Sequence, residues 1–339
     1  MAYATERTLI LNSKSWRYHE AGWEDIFKPI SDTCLTSEGT SNGTWSNDIQ
    51  NTQVVDLPMI GYLNPQPPYL PQVIPEDLAP RLIRLHGDPF PWWVGQFLKY
   101  LLRMQPQTNN MLDARLKQLG FTKPIVGVHV RRTDKVTQAV SHNLEDYMTW
   151  VEDYFNRLEL SQPVVKRRVF LASDDPKVIE EARQKYPKYD ILGDPDVARM
   201  AAVSTRYSDS SLNGIISDIH LLSLCNYVVC TFSSQICRMA YEIMQTMYPD
   251  ASNRFKSVDT IYFFCGEKVH NQEAVISHRA KNGIELSMNV SDKIRIFHNL
   301  GNGFSRGRSL QTNQIGIFPS FKVVNEVETA DFPKYTNIN

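Results

Sequence analysis

Ile125-Val126-Gly127-Val128-His129-Val130-Arg131-Arg132-Thr133-Asp134-Lys135 is the stretch on which the fold turns. Its first six residues are largely apolar and carry no helical period, as expected of a parallel strand covered on both faces. Two arginines, an aspartate and a lysine follow at once. Such a cluster at the end of a buried strand costs desolvation unless it meets opposite charge. Guanidinium forks match phosphate oxygens in pairs, so a diphosphate is one natural partner of Arg131 and Arg132. An internal ion-pair network, Arg132 with Asp134 for instance, is the other.

Downstream, strand and helix alternate. A helix is expected around Asn143–Leu158, a strand at Arg168–Ser173, a helix from Pro176 through Lys185 and a short strand at Tyr189–Leu192. Leu212–Ser223 reads as helix, Tyr227–Cys230 as strand and Ser234–Met247 as helix. Repeated βα units argue for a Rossmann-like, doubly wound parallel sheet, whose ligands sit beyond the carboxyl ends of the strands. Those ends are polar here. Ser173-Asp174-Asp175-Pro176 offers two carboxylates, suited to a metal or to a helix cap; Asp175, just before Pro176, fits the cap and leaves Asp174 for other work. No D-x-D motif is placed to hold a metal diphosphate, so metal independence is expected. Asp218 has the chemistry to read a guanine N1–H and N2–H2, and equally that of a buried salt-bridge partner. Thr231-Phe232-Ser233-Ser234-Gln235 puts hydroxyls and backbone N–H groups at a helix N-terminus, where the dipole favours an anion.

Upstream, residues 1–75 are irregular, with a polar stretch from Thr36 to Asn51 and a proline cluster from Pro65 to Pro75, the texture of long loops pinned to a larger body. Arg7–Asn12 reads as a strand, an odd opening that points to a missing upstream segment. From Glu76 to Gly120 the pattern turns helical: Glu76-Asp77-Leu78 opens one short helix, and Trp92, Trp93, Phe97, Leu101 and Leu102 mark another. After Gly266 come short β segments at Ile284–Met288, Lys293–His298, Gly303–Gly307 and Ile315–Phe321, the size of an SH3-like barrel. Gly316–Val323 matches the closing pattern G-x-F/Y-P-x-x-Y-V of such barrels, with Lys322 in the Tyr place. The expected organisation is 1–123 as the N-terminal part of a catalytic region, 124–266 as a Rossmann-like nucleotide-binding domain, 267–328 as an SH3-like domain and 329–339 as a tail.

The composition narrows the class. With 42% hydrophobic and 22% charged residues, the 339-residue chain has the balance of a globular protein. A net charge of −1 provides no basic field for nucleic acid. Six Trp, fifteen Tyr and fifteen Phe point mildly to sugar faces, or to an aromatic core. No run of about 18 apolar residues is present and no secretory signal opens the chain. Cys230 and Cys237 flank the Thr231–Ile236 loop, and a short disulfide there suits an oxidising compartment, as do sequons at Asn42 and Asn289. There is no Walker loop, GxGxxG fingerprint, zinc ligand set or serine nucleophile elbow.

His129–Lys135 (HVRRTDK), Ser173–Pro176 (SDDP), Asp218–Ser223 (DIHLLS) and Val229–Arg238 (VCTFSSQICR) together resemble the α1,6-fucosyltransferases that add core fucose to N-glycans. Leu9–Leu11, Trp16–Tyr18, Pro67–Pro71, His86–Pro89, Ala240–Thr246 and Gly316–Lys322 extend the likeness over essentially the whole chain. The resemblance implies a GT-B-like, inverting, metal-independent transferase with an SH3-like C-terminal domain, using GDP-fucose as donor substrate and no cofactor. It implies a Golgi-luminal type II membrane protein, whose anchor this chain lacks and whose full-length form is a homodimer. The acceptor would be the 6-hydroxyl of the innermost GlcNAc of an N-glycan on glycoproteins. Carried over, Arg131 holds the β-phosphate, His129 and Asp218 read the guanine, and Tyr18, Asp174, Ser233, Ser234 and Gln235 complete the pocket. Arg132, Asp134, Lys135, Tyr147 and Asp175 match positions on which the family's activity depends. Cys230–Cys237 matches a family disulfide, and Cys34 a cysteine whose partner lies upstream.

The departures all fall on the acceptor side. Gln138 stands where the family has the glutamate that takes the acceptor's proton, and an amide cannot accept it. Gly61 replaces an aspartate, and Leu300-Gly301 replaces a His-Trp pair in the barrel loop. If Gln138 occupies the base position, Glu145, Asp146 or water must serve. The alternatives are a divergent GDP-sugar-binding paralogue without activity, and an enzyme for another GlcNAc-containing acceptor such as a chito-oligosaccharide.

Overall fold

The computed structural model describes residues 1–333 apart from 15, 47–48, 59–61, 70–72, 133–141, 203–204, 206, 265–269 and 301. β1 (Asn42–Thr44), β2 (Val54–Asp56) and β3 (Val73–Pro75) precede helices α1 (Ala79–Leu85), α2 (Pro89–Leu101) and α3 (Pro106–Leu119). Then come β4 (Ile125–Val130), α4 (Leu144–Glu159), β5 (Arg167–Ser173), α5 (Pro176–Lys185), β6 (Tyr189–Leu192), α6 (Pro195–Met200), α7 (Asp209–Leu224), β7 (Tyr227–Cys230), α8 (Gln235–Met244) and β8 (Phe255–Ser257). β9 (His270–Ala274), β10 (Lys293–Asn299), β11 (Phe304–Ser309), β12 (Ile315–Pro319), β13 (Val323–Asn325) and β14 (Glu328–Ala330) follow.

β4 is the centre of a five-stranded parallel sheet of order β6-β5-β4-β7-β8. The chain winds outward from β4 to β6, returns across the sheet and winds the other way through β7 and β8. The strand order therefore reverses between β4 and β7, the crevice where doubly wound sheets take ligands. Alternate residues of β4 serve opposite faces, as the two-residue period requires. Val126, Val128 and Val130 pack with Val151 and Phe155 of α4 and Val178 and Ile179 of α5, while Ile125 packs with Leu221, Leu222, Ala240 and Met244 of α7 and α8. Gly127 lies on this second face. A Cβ there would lie 3.0 Å from Leu222 Cδ2 and Cys225 Sγ, so a larger residue would press these side chains back by a few tenths of an ångström.

The helices start where local chemistry says they should. Asn143 and Asp146 form a reciprocal capping box on α4, and Asp175, Asp194 and Ser208 each accept a backbone N–H at the heads of α5, α6 and α7. α8 ends at Met244 rather than Met247, and α6 and β8 are elements without a strong periodic signal.

β9 to β13 form a second, antiparallel sheet of order β12-β11-β10-β9-β13, with Ala274, Leu286, Met288, Ile294, Phe318 and Val323 as its core. Ile284–Met288, expected as a strand, keeps only isolated bridges at Glu285 and Met288. The Asn282 and Glu285 side chains bind the backbone N–H groups of Ile284 and Lys281, and this local bonding competes with a ladder. The strand the sheet uses instead is β9. Arg7–Asn12 is not a strand either: the Arg7 guanidinium donates to the Ile49 and Thr52 carbonyls, tying an irregular segment down by its side chain.

Two long-range contacts hold the ends. Trp16, Tyr18, Trp23, Ile26 and Phe27 pack on Leu112 of α3 and on Leu212 and Ile216 of α7. β14 pairs in parallel with β3, so the residues from 329 onward do not begin as a free tail. Phe332 then inserts among Tyr3, Tyr69 and Trp93. Among the described residues no helix is long and apolar enough to cross a membrane. Phe332→Ala removes a buried ring and should cost about 2–4 kcal/mol, read as a fall in the thermal-unfolding midpoint; an unchanged midpoint would show that this junction does not support the fold.

Candidate functional site

The carboxyl ends of β4, β5 and β7 converge with the head of α8. His129 is the last residue of β4 on the α7/α8 face, two positions beyond Gly127, and is buried. Its Nδ1 lies 3.4 Å from Cys237 Sγ in the first turn of α8. Cys237 is bridged to Cys230 at the end of β7, so the intervening loop is closed at both ends. Cys34 and Cys225 are unbridged.

An internal carboxylate organises that loop. Asp259, buried just after β8, accepts from Phe232 N at 2.9 Å, Ser233 N at 3.4 Å, Thr260 N at 2.7 Å and the Ser257 hydroxyl at 2.8 Å. The amides of Phe232 and Ser233, read from sequence as open to a bound anion, are therefore filled from within. What the loop keeps for a ligand is at its end. Ser234 caps α8 in position but makes no side-chain cap bond, and its fully buried hydroxyl has no partner among the described residues. Gln235 is exposed at the first helical position. The first-turn amides of α8 and its dipole still favour negative charge there. Sequence reasoning missed Asp259; its signal is a lone acid in Val258-Asp259-Thr260 directly after a short strand.

At the β5 edge, Asp174 Oδ1 accepts from Arg132 N at 2.7 Å and Ser173 donates to the Val130 carbonyl, which splices the ends of the two strands. Asp175 accepts from Lys177 N at 3.0 Å and is the α5 cap, so the structure gives it a structural duty where the resemblance implies a catalytic one. Arg131 and Arg132 are both half-buried. Arg132 pairs with Glu181 of α5 at 3.0 Å; Asp134, its expected partner, lies outside the described residues together with Lys135, Gln138, Gly61 and Gly301. Lys185 extends the network, bridging Glu181 at 2.8 Å and Glu145 at 2.7 Å. The hydrogen bonds from Lys185 hold the carboxyls of Glu145 and Glu181 below their usual range. Asp146 is spent in the α4 capping box. Neither carboxylate suggested as a substitute base is therefore unengaged.

Tyr147 is buried beneath this edge, and burial first, then the nearby charge of Asp259, pushes its phenol well above its ordinary range. Asp218 lies one helical turn before Leu222, whose side chain abuts Gly127, and a turn rises about 6 Å. His129 is two residues beyond Gly127, which on a strand is also about 6–7 Å. Asp218 and His129 thus stand level along the sheet. Burial pushes the Asp218 carboxyl up to about 7, with Arg115 opposing and Asp194 adding to the shift. Tyr18 is half-buried against Tyr207, ring centroids 4.9 Å apart, in the loop leading to α7. Leu300 donates its N–H to the Phe304 carbonyl in the β10–β11 connection, away from the parallel sheet.

The strand ends thus bring His129 and the chain at Arg131 beside the head of α8, while the Arg132 guanidinium turns to Glu181 of α5; cationic residues next to a helix N-terminus suit a nucleotide diphosphate. Asp259→Asn leaves an amide where several N–H donors need a carboxylate and should cost about 1–3 kcal/mol. The check is hydrogen exchange at the Phe232 and Thr260 amides together with a melt; unaltered protection would mean the carboxylate does not anchor the loop.

Known proteins resemble this chain over its whole length. Residues 1–263 match the family described as alpha-(1,6)-fucosyltransferase N- and catalytic domains. An alpha-(1,6)-fucosyltransferase of Drosophila melanogaster is 58% identical over 339 residues, which is 100% of this chain and 55% of the fly protein. One of Caenorhabditis elegans is 42% identical over 332 residues, 96% of this chain and 59% of the worm protein. The chain thus spans a little over half the length of the curated relatives it matches. It belongs to the alpha-(1,6)-fucosyltransferase family.

Proposed function

We propose that this chain is the catalytic part of a fucosyltransferase that moves fucose, with inversion and without a metal, from GDP-fucose to the 6-hydroxyl of the innermost GlcNAc of N-glycans. The observation that carries the reading is the meeting, at the β4–β7 switch point, of the His129–Arg132 strand end with the disulfide-closed head of α8. The parallel strand order supports a GT-B-like nucleotide half. The β12-β11-β10-β9-β13 order, with a single 3-10 turn at Ser320–Lys322 before β13, supports an SH3-like barrel.

In this reading His129 and an ionised Asp218 take the guanine edge, Tyr18 flanks it, and Arg131 with the α8 head, Ser234 and Gln235 included, holds the diphosphate. The acceptor oxygen attacks C1 of fucose as the C1–O bond to the β-phosphate breaks, and Arg131 neutralises charge on the departing GDP. Arg132 and Asp174 keep the two strand ends in register. The proton of the acceptor hydroxyl passes to water, because Gln138 cannot take it and Glu145 and Asp146 are engaged. Asp174 and Asp175 each accept a backbone N–H, which supports a donor site without a metal. The same engaged carboxylates favour, as the second reading, a GDP-sugar-binding paralogue with weak or no turnover. The Golgi lumen is the compartment that the Cys230–Cys237 bridge and the exposed Asn42 and Asn289 support.

GDP release from GDP-fucose, with and without a biantennary N-glycan ending in GlcNAc, tests the reading. The expected result is acceptor-stimulated release that Arg131→Ala lowers about 10²–10³-fold and Gln138→Glu raises at least tenfold. Donor binding without turnover, in the unmodified protein and in the Gln138→Glu variant alike, selects the paralogue. For the compartment, secretory expression should give a chain whose mass falls on peptide-N-glycanase treatment and whose Asn42→Gln/Asn289→Gln variant shows no fall. A chain that is secreted but never shifts removes the sequons as support.

A further inference from the structure

His19 stands between two carboxylates. Its Nδ1 is 2.7 Å from Asp209 Oδ1 and its Nε2 is 2.8 Å from Asp25 Oδ2. A neutral imidazole has one N–H and can donate to one of them only, so both short contacts together describe an imidazolium. The ring is 13% exposed while the two carboxylates are 55% and 72% exposed, so the cation is the covered member and the acids reach in from solvent. Asp25 belongs to the turn that starts the Ile26–Phe27 contact with α3, and Asp209 is the first residue of α7.

The neighbouring residues repeat the connection. The Arg17 guanidinium lies 3.6 Å over the Tyr207 ring, and Tyr18 packs on the same ring. Residues 17, 18 and 19 thus each hold a residue between 207 and 209, and the middle contact is Tyr18. Among the described residues, the charged groups facing His19 are Asp25 from its own segment and Asp209 from α7; Gln105 at the cap of α3 and Gln107 in its first turn use their amides to bind the Glu24, Asp25 and Phe27 carbonyls.

We propose that His19, shared as an imidazolium by Asp25 and Asp209, is the positioning residue that clamps the Tyr18 segment onto the head of α7, and that the donor pocket loosens when the proton leaves. The proposal rests on the reading above in which Tyr18 borders the GDP-fucose pocket. Hydrogen bonding to Asp209, and then to Asp25, raises the proton affinity of His19 above the usual imidazole range. The clamp is therefore fully formed below an ordinary histidine pKa of about 6.5 and is lost as pH rises through the raised value. Asp218 acts in the opposite sense, since it must be ionised to accept from guanine and titrates at about 7. Donor affinity is thus limited by Asp218 on the acid side and by His19 on the alkaline side.

The test is calorimetric titration of GDP-fucose between pH 6 and 9, a donor whose diphosphate diester does not itself titrate in that range. Wild type should weaken about three- to tenfold on the alkaline side, the scale of one or two exposed ion pairs. His19→Gln should bind more weakly by a similar factor near neutrality, lose the alkaline limb and keep the acid one. Asp209→Asn, at an exposed position, should do the same and carries the test if His19→Gln does not fold. Wild-type affinity and pH profile in these variants, even with a lowered melting point, overturns the clamp. Tyr18→Ala binding donor like wild type overturns the Tyr18 reading instead, and the proposal falls with it.

Discussion

Burial of β4 on both faces is the constraint from which the rest follows. Six consecutive residues are buried, paired in register with β5 on one side and β7 on the other. A strand enclosed in this way gathers its polar side chains toward the end where it leaves the sheet, so the buried His129 is followed at one edge by Arg131 and Arg132. The edge then lies beside whatever helix covers the same face. Gly127 eases the approach of that helix, because a Cβ there would press on Leu222 at the end of α7 and on Cys225 just after it. Fold and site are thus set by the same packing.

The second organising interaction is ionic and internal. Asp259 fills amides that a bare glance at a serine-rich loop would leave to a ligand, and Asp174 binds the Arg132 backbone. Arg132, Glu181, Lys185 and Glu145 form a chain of ion pairs along α5 and α4. Partly exposed pairs of this kind contribute little stability each. Their effect is on geometry: they fix the strand end and the loop before any ligand arrives, so a ligand need not order them.

Much of this was legible in the sequence where a strong period or a strand-end motif existed. β4, β5, β6 and β7 and the helices α4, α5 and α7 announce themselves through apolar runs and capping residues, and the HVRR and TFSSQ segments through charge and hydroxyls at strand ends. What was not legible depends on contacts distant in sequence. Arg7–Asn12 has the composition of a strand but no neighbour to pair with, while β14 has little strand character and pairs because Phe332 is drawn among Tyr3, Tyr69 and Trp93. Asp259 looks like any surface acid until the loop it closes is brought to it. His19, between an arginine-tyrosine pair and a glutamate, shows nothing of Asp209, 190 residues away.

The same division bears on the proposed site. The residues proposed for the donor sit on β4, at the β5 edge, on α7 and at the head of α8, and several are also tied into the frame: His129 to Cys237, Asp174 to Arg132, Ser234 through its backbone to Thr231. Changing any of them disturbs packing as well as chemistry. Of the three positions read from sequence as acceptor-side departures, Leu300 lies in the β10–β11 connection, while Gly61 and Gln138 fall outside the described residues. Substitutions in connections usually cost the fold little. In the proposed reading, packing alone can preserve the donor residues, so an intact donor half is weaker evidence for turnover than it first looks. Evidence for turnover then has to come from residues that the packing of the frame does not hold in place.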